Sequence, residues 1–213
     1  PIALGILAAS GFLKLNELAR YLFLGELALD GSLREVKGAL PAATLAKRKN
    51  FSFVIPEANA KEASLLEEAV VFTAKSLKEV VDGINGERDL KRIPRAEIPS
   101  RKVSQTDDCD FSEVKGQFHA KRAAEIAASG LHNLLLIGPP GAGKTMIAKR
   151  LPTILPELSR AEFLEIAKIY SVAGLLSNGA VGNLKRPFRT PHHTASAIGL
   201  VGGGSFPRPG EIT

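Results

Sequence analysis

Gly138-Pro139-Pro140-Gly141-Ala142-Gly143-Lys144-Thr145 fits the pattern G-x-x-x-x-G-K-[ST], a phosphate-binding loop. Each residue type has a chemical reason. Small residues let backbone N–H groups close around phosphate oxygens without a Cβ in the way. Lys144 sets one positive charge against the β- and γ-phosphates, and the Thr145 hydroxyl is a ligand for the Mg²⁺ that accompanies a nucleotide. A helix starting there adds its positive dipole end, and Met146 is the first residue beyond the motif. The nucleotide-binding set is therefore Gly138 to Met146, with Lys144 as the catalytic cation.

The flanking sequence supports the motif. His132-Asn133-Leu134-Leu135-Leu136-Ile137 is an apolar run ending in glycine, which predicts a buried strand of a parallel sheet. Met146 to Leu151 has helical character, and Pro152 marks its end. Strand, loop and helix follow in the order the motif requires.

Composition narrows the class. The 213 residues are 45% hydrophobic and 23% charged, ordinary for a globular protein of one or two domains. No apolar run approaches the ~18 residues that span a bilayer. The single cysteine, Cys109, excludes an internal disulfide and suits a reducing cytoplasm. Residues 1–86 carry ten basic and ten acidic side chains and residues 87–110 six of each. Residues 111–213 carry twelve and six, so the whole +6 excess lies on the P-loop half. A polyanion or an ordinary solvated surface both account for that excess.

The pattern of elements divides the chain into 1–86, an α/β unit; 87–110, a polar linker expected to be mobile; and 111–213, a second α/β unit. In the first, a helix is predicted over 2–10 and a strand over Tyr21 to Leu29, with an Asp30-Gly31 turn and an antiparallel return over Ser32 to Val36. Helices over 41–49, 57–66 and 77–84 alternate with strands over 51–55 and 69–72, and Ser76 caps the last helix. In the second, helices are predicted over 118–129 and 160–170, the latter capped by Ser159. Beyond Ser171, closely spaced Gly and Pro predict long loops or short hairpins. The acids after Thr145 are Glu157, Glu162, Glu165 and Glu211, and none closes an apolar strand as the second carboxylate of a P-loop enzyme must. With a start at Pro1 inside an apolar pattern, the expectation is a fragment of a longer protein, ending before its hydrolytic carboxylates.

Phe111-Ser112-Glu113-Val114-Lys115-Gly116-Gln117, the P-loop, Ile169 to Leu175, Arg186 to Ser196, and Gly199-Leu200-Val201-Gly202-Gly203-Gly204 followed by Pro207 to Ile212 resemble the magnesium-chelatase-type AAA+ ATPases. Together they are most similar to the competence-associated ComM/YifB branch. Gly25 to Gly31 and Val54 to Asn59 resemble a Lon-protease-type domain. The resemblance implies an α/β fold class: a degenerate Lon-protease-like domain (similar to ribosomal S5 domain 2) followed by the front part of a P-loop AAA+ domain.

The resemblance also implies roles. Val114, Gly116 and Gln117 lie beside the adenine of ATP, and Thr145 holds Mg²⁺ with it. True Lon proteases use a Ser–Lys dyad. Here the nucleophile position falls at Ile2 and the lysine position near Leu40; a small gap brings in Lys37, but Ile2 is no nucleophile. This unit is expected to be a scaffold or nucleic-acid platform. Lys185, Arg186, Arg189, His192, His193 and Arg208 are the candidates for DNA phosphates lining a channel, with an internal structural loop as the alternative. His192-His193 lacks the further ligands of a metal site, and Glu211 follows a Gly/Pro-rich run. The implied whole is a ring, a hexamer, acting on single-stranded or branched DNA. A chelatase ATPase subunit and a protein-remodelling ATPase are the rivals.

Overall fold

A computed structural model describes residues 1–67, 69–94, 109–176, 186–205 and 207–212. The first unit is built around strand β4 (Ser52–Pro56), whose Phe53, Val54, Ile55 and Pro56 are all buried. Successive side chains of a strand point to opposite faces, so a continuous apolar run requires cover on both. Val54 packs with Leu4 and Ala8 of α1 (Ile2–Ala9) and Val80 and Ile84 of α5 (Leu77–Asn85). Phe53 and Ile55 face the other way, onto Ala43 and Ala46 of α3 (Ala39–Arg48) and Ala63 of α4 (Ala60–Ala63).

The sheet runs β1 (Tyr21–Phe23), β4, β5 (Val71–Ala74), β6 (Lys91–Arg92). β1–β4 and β4–β5 are parallel, β5–β6 antiparallel. The strand predicted over Tyr21 to Leu29 is broken. The chain leaves the sheet at Leu24–Gly25, and Glu26–Leu27 (β2) pairs antiparallel with Leu33–Arg34 (β3) in a separate hairpin. A Cβ on Gly25 would lie 3.5 Å from the Pro56 ring, so the crossing is closest where no side chain intervenes. The helix predicted over 57–66 is a 3₁₀ turn over Glu57–Asn59 followed by α4. A four-residue helix, α2 (Leu15–Leu18), precedes β1. β6 falls within the segment expected as a linker: Lys91 and Arg92 pair with Thr73 and Phe72 as an edge strand. Residues 95–108 of that segment lie outside the described residues.

The second unit packs α6 (Phe118–Gly130) and α7 (Lys144–Arg150) around Phe111, Val114, Ala124 and Ile147. The run before the P-loop departs from expectation. It is extended, with Leu134 and Leu136 turned onto this cluster, but Leu135 and Ile137 are 81% and 88% exposed. A parallel strand takes its ladder from neighbouring βα units, and among the described residues no strand pairs with 132–137.

Helix α8 (Arg160–Ala173) starts at a capping box in which Ser159 and Glu162 satisfy each other's backbone N–H. It ends at Gly174, in the left-handed region at φ +72°. Its Phe163 and Ala167, with Leu176, bury themselves against Leu40 and Leu65 of the first unit. Arg160 pairs with Glu67 at 2.9 Å, and the Gly38 N–H donates to the Ser171 carbonyl at 3.2 Å. Beyond it, α9 (Ala197–Val201) leads into a two-stranded hairpin, β7 (Gly202–Gly203) with β8 (Arg208–Pro209).

Phe163→Ala is expected to destabilise the full-length protein by about 3–5 kcal/mol, the usual cost of removing a buried aromatic. Amide hydrogen exchange should rise in α3 as well as α8. A rise confined to α8 would refute the joint.

Candidate phosphate-binding site

The P-loop bends through two left-handed glycines, Gly141 at φ +80° and Gly143 at φ +82°. Any Cβ there is strained, so the motif's second and third glycines are backbone requirements of the turn. Gly143 is also the N-cap of α7, and its carbonyl accepts from the Ile147 N–H at 3.0 Å. The first-turn amides of a helix lack acceptors within the helix. The half-buried Lys144 folds back and donates to the carbonyls of Gly138 and Pro139, both at 2.7 Å. Its ammonium is thus held at the mouth of its own loop, beside those amides and the exposed Thr145. A cation and backbone N–H groups are what phosphate oxygens require, and the Thr145 hydroxyl is one oxygen ligand for a Mg²⁺ carried by that phosphate.

The strap from Asp110 to Gln117 lies against the same helix. Val114, expected at the base, is fully buried between Phe111 and Ile147, so its side chain belongs to the core and only its backbone is available to a ligand. Gly116 and Gln117 are exposed and consecutive in the left-handed region, at φ +61° and +53°.

The basic loop is more constrained than its charge suggested. Arg186 donates to the Pro156 carbonyl at 2.7 Å and to Glu162 at 3.2 Å. Arg189 makes a bidentate pair with Glu211, at 2.6 and 2.9 Å. Both guanidiniums are thereby engaged within the chain, as the alternative of an internal structural loop also expects. Glu211 is correspondingly no spare metal carboxylate. His192 and His193 stack with centroids 4.2 Å apart. His192 Nδ1 lies 2.7 Å from Thr194 Oγ1 and 3.3 Å from the Thr194 backbone nitrogen, so the ring is tied to its own turn. His192, His193 and Arg208 are exposed, and Lys185 lies outside the described residues. Among the described residues no group of three or more His, Cys, Asp or Glu could hold a metal ion.

The Lon-type positions are equally plain: Ile2 is 81% exposed and Leu40 fully buried. Lys37 lies over Gly174, where a Cβ would meet its Cε at 2.5 Å. What the sequence pattern missed is the pair of Glu113 with Arg150, 37 residues apart, with Arg150 Nε at 3.1 Å from Glu113 Oε2. No local periodicity signals a contact at that separation.

A glycine-turned loop at a helix start, with its lysine over the loop carbonyls, has the geometry of the P-loop class. Comparison with known proteins sharpens the class. A family model described as magnesium chelatase, subunit ChlI, matches residues 110–213, and one described as subunit ChlI of Mg-chelatase matches residues 1–59. The whole chain is 46% identical to competence protein ComM of Haemophilus influenzae, covering 42% of that protein, and 44% identical to YifB of Escherichia coli, covering 41%. An archaeal Lon protease of Archaeoglobus fulgidus is 35% identical over 81 residues, 38% of this chain and 12% of that protein. The chain belongs to the magnesium-chelatase-like AAA+ ATPases of the ComM/YifB family, with a Lon-protease-like domain at its front. It spans about two-fifths of the length of these whole-chain relatives.

Two outcomes are expected. Lys144→Ala should preserve the fold and lower affinity for ATP at least ~100-fold, the loss of a charge-assisted phosphate contact in a preorganised loop; calorimetry showing unchanged affinity would remove the assignment. Arg189 holds the Glu211 carboxyl below the usual glutamate range by hydrogen bonding first and charge second. A carboxyl depressed in the folded state stabilises above its unfolded pKa, and the effect is lost as pH falls through the folded value. The hairpin amides of Glu211 and Ile212 should therefore exchange faster, beyond the intrinsic pH effect, once pH drops below about 4. Glu211→Gln should abolish that step.

Proposed function

We propose that the full-length protein is a ring-forming, hexameric ATPase that binds ATP with Mg²⁺ in the cytoplasm and drives branch migration or unwinding of DNA during recombination. The observation that carries the nucleotide half is the loop geometry, with the Lys144 ammonium 2.7 Å from two loop carbonyls at the start of α7. Lys144 moves from those carbonyls onto the β- and γ-phosphates, exchanging neutral acceptors for charged ones. The amides opening α7 take the remaining phosphate oxygens, and Thr145 ligates the metal. Thr145 would hold a bound Mg²⁺, whose chemistry there would be to offset phosphate charge. Val114 to Gln117 receive the base through backbone atoms.

Two findings support the DNA half. The relative with the competence name is similar along all 213 residues, and the +6 charge excess lies entirely in residues 111–213. Within that unit, exposed His192, His193 and Arg208, with Lys185, are the contacts we assign to phosphate. Arg186 and Arg189 shape the loop that presents them. The chelatase description of the matching family favours a second reading, an ATPase subunit that drives a metal into a porphyrin.

Steady-state ATPase of the full-length protein, with single-stranded and four-way-junction DNA over a range of salt, separates the two. Stimulation by DNA that fades as salt rises is the expected result. Absence of stimulation by any DNA would overturn the DNA motor, and stimulation by a porphyrin partner would establish the second reading.

A further inference from the structure

We propose that Glu113 and Arg150 form a positioning pair that sets the nucleoside end of the ligand by locking the strap Val114–Gln117 to the far end of the P-loop helix. The inference rests on the nucleotide reading above. The phosphates are claimed by the N-terminal end of α7. Seven residues make that helix about 10 Å long. A nucleoside extending from the loop needs a second surface whose distance from the phosphates is constant. The strap is fastened to the other end of the same helix.

The fastening is specific. Glu113 Oε2 accepts from Arg150 Nε at 3.1 Å and Nη2 at 2.5 Å, while Nη1 donates to the Met146 carbonyl at 3.3 Å. The guanidinium therefore bridges helix backbone and strap at once, which a lysine's single ammonium cannot do with the same planar fork. The Arg150 side chain is 15% exposed and that of Glu113 46%, so water reaches this pair mainly from the carboxylate side. A second bond runs alongside: the Phe111 N–H donates to Thr153 Oγ1 at 3.1 Å, and that hydroxyl donates to the Arg150 carbonyl at 2.8 Å. Asp110 caps the turn that carries Glu113, accepting from the Ser112 N–H at 2.8 Å. Two residues beyond Val114 the chain holds two left-handed residues in succession, one of them Gln117. For a non-glycine residue that conformation costs of the order of 1 kcal/mol and persists where the surroundings hold it. The Glu113–Arg150 pair, with buried Val114, supplies the hold.

The pair touches the strap and not the loop, so its loss should be felt by the nucleoside and not by the phosphates. In the full-length protein, Glu113→Gln should weaken ATP binding about fivefold, the scale of one charge-assisted bond. Binding of inorganic tripolyphosphate, which offers only the phosphates, should stay within about twofold of wild type. Arg150→Lys should show the same selective loss and serves if Glu113→Gln fails to fold. Unchanged ATP affinity in a folded variant would overturn the inference, and so would equal weakening of both ligands, the mark of a merely structural pair. A wild-type protein that binds neither ligand would instead remove the nucleotide reading itself, and it would do so before any variant is compared.

Discussion

The P-loop depends on the burial of Ile147 against Val114, Phe111 and Ala124. Its loop turns through two left-handed glycines, and the run before it has no ladder partner among the described residues. A sheet ladder is therefore not what holds α7 in place among the described residues. Apolar contact does it: Leu134 and Leu136 come in from the run, and Leu151 and Ile154 from beyond the helix. Each buried aliphatic side chain contributes roughly 1.5–3 kcal/mol. That suffices to orient one short helix, and with it the first-turn amides and Lys144.

The joint between the units follows from the same effect at larger scale. α8 is an amphipathic helix whose Phe163 and Ala167 find their cover on Leu40 and Leu65 of the Lon-like unit. Both candidates for the dyad's lysine position lie at this joint. Leu40, at the lysine position, is a core residue of this joint, and its N–H donates to the buried Glu62 carboxylate at 3.0 Å. Lys37 lies across Gly174 at the C-terminal end of α8, where a cation meets the negative end of the helix dipole. Apolar packing thus seats α8 of the second unit on α3 of the Lon-like unit.

Charge and geometry tell different stories in the loop after residue 185. Three cations close together in sequence, Lys185, Arg186 and Arg189, suggest a phosphate-binding surface. Arg186, however, reinforces the start of α8 through Glu162, whose carboxyl is held low by the Ser159 backbone N–H first and the Ser159 hydroxyl next. Arg189 ties the loop to Glu211 beyond the glycine-rich hairpin. A cation in a sequence is a charge without an address, and its partner decides whether it recruits a ligand or fixes a loop.

The sequence by itself determined the P-loop, the caps at Ser76 and Ser159, the β2–β3 hairpin at Asp30-Gly31 and the alternation of helix and strand in the first unit. Each is set by residues within a few positions of one another, through backbone conformation, side-chain caps or a short apolar period. Tertiary structure alone decided the rest. The sequence pattern could not show that Lys91–Arg92 would complete a sheet, because an edge strand of two charged residues carries no period. Nor could it show that Leu135 and Ile137 would be exposed, since an apolar run reports the burial it requires and not the strands that provide it. The Glu113–Arg150 pair and the seating of α8 on α3 bring together residues far apart in the chain. Such contacts depend on how whole elements pack, which no local stretch of sequence encodes.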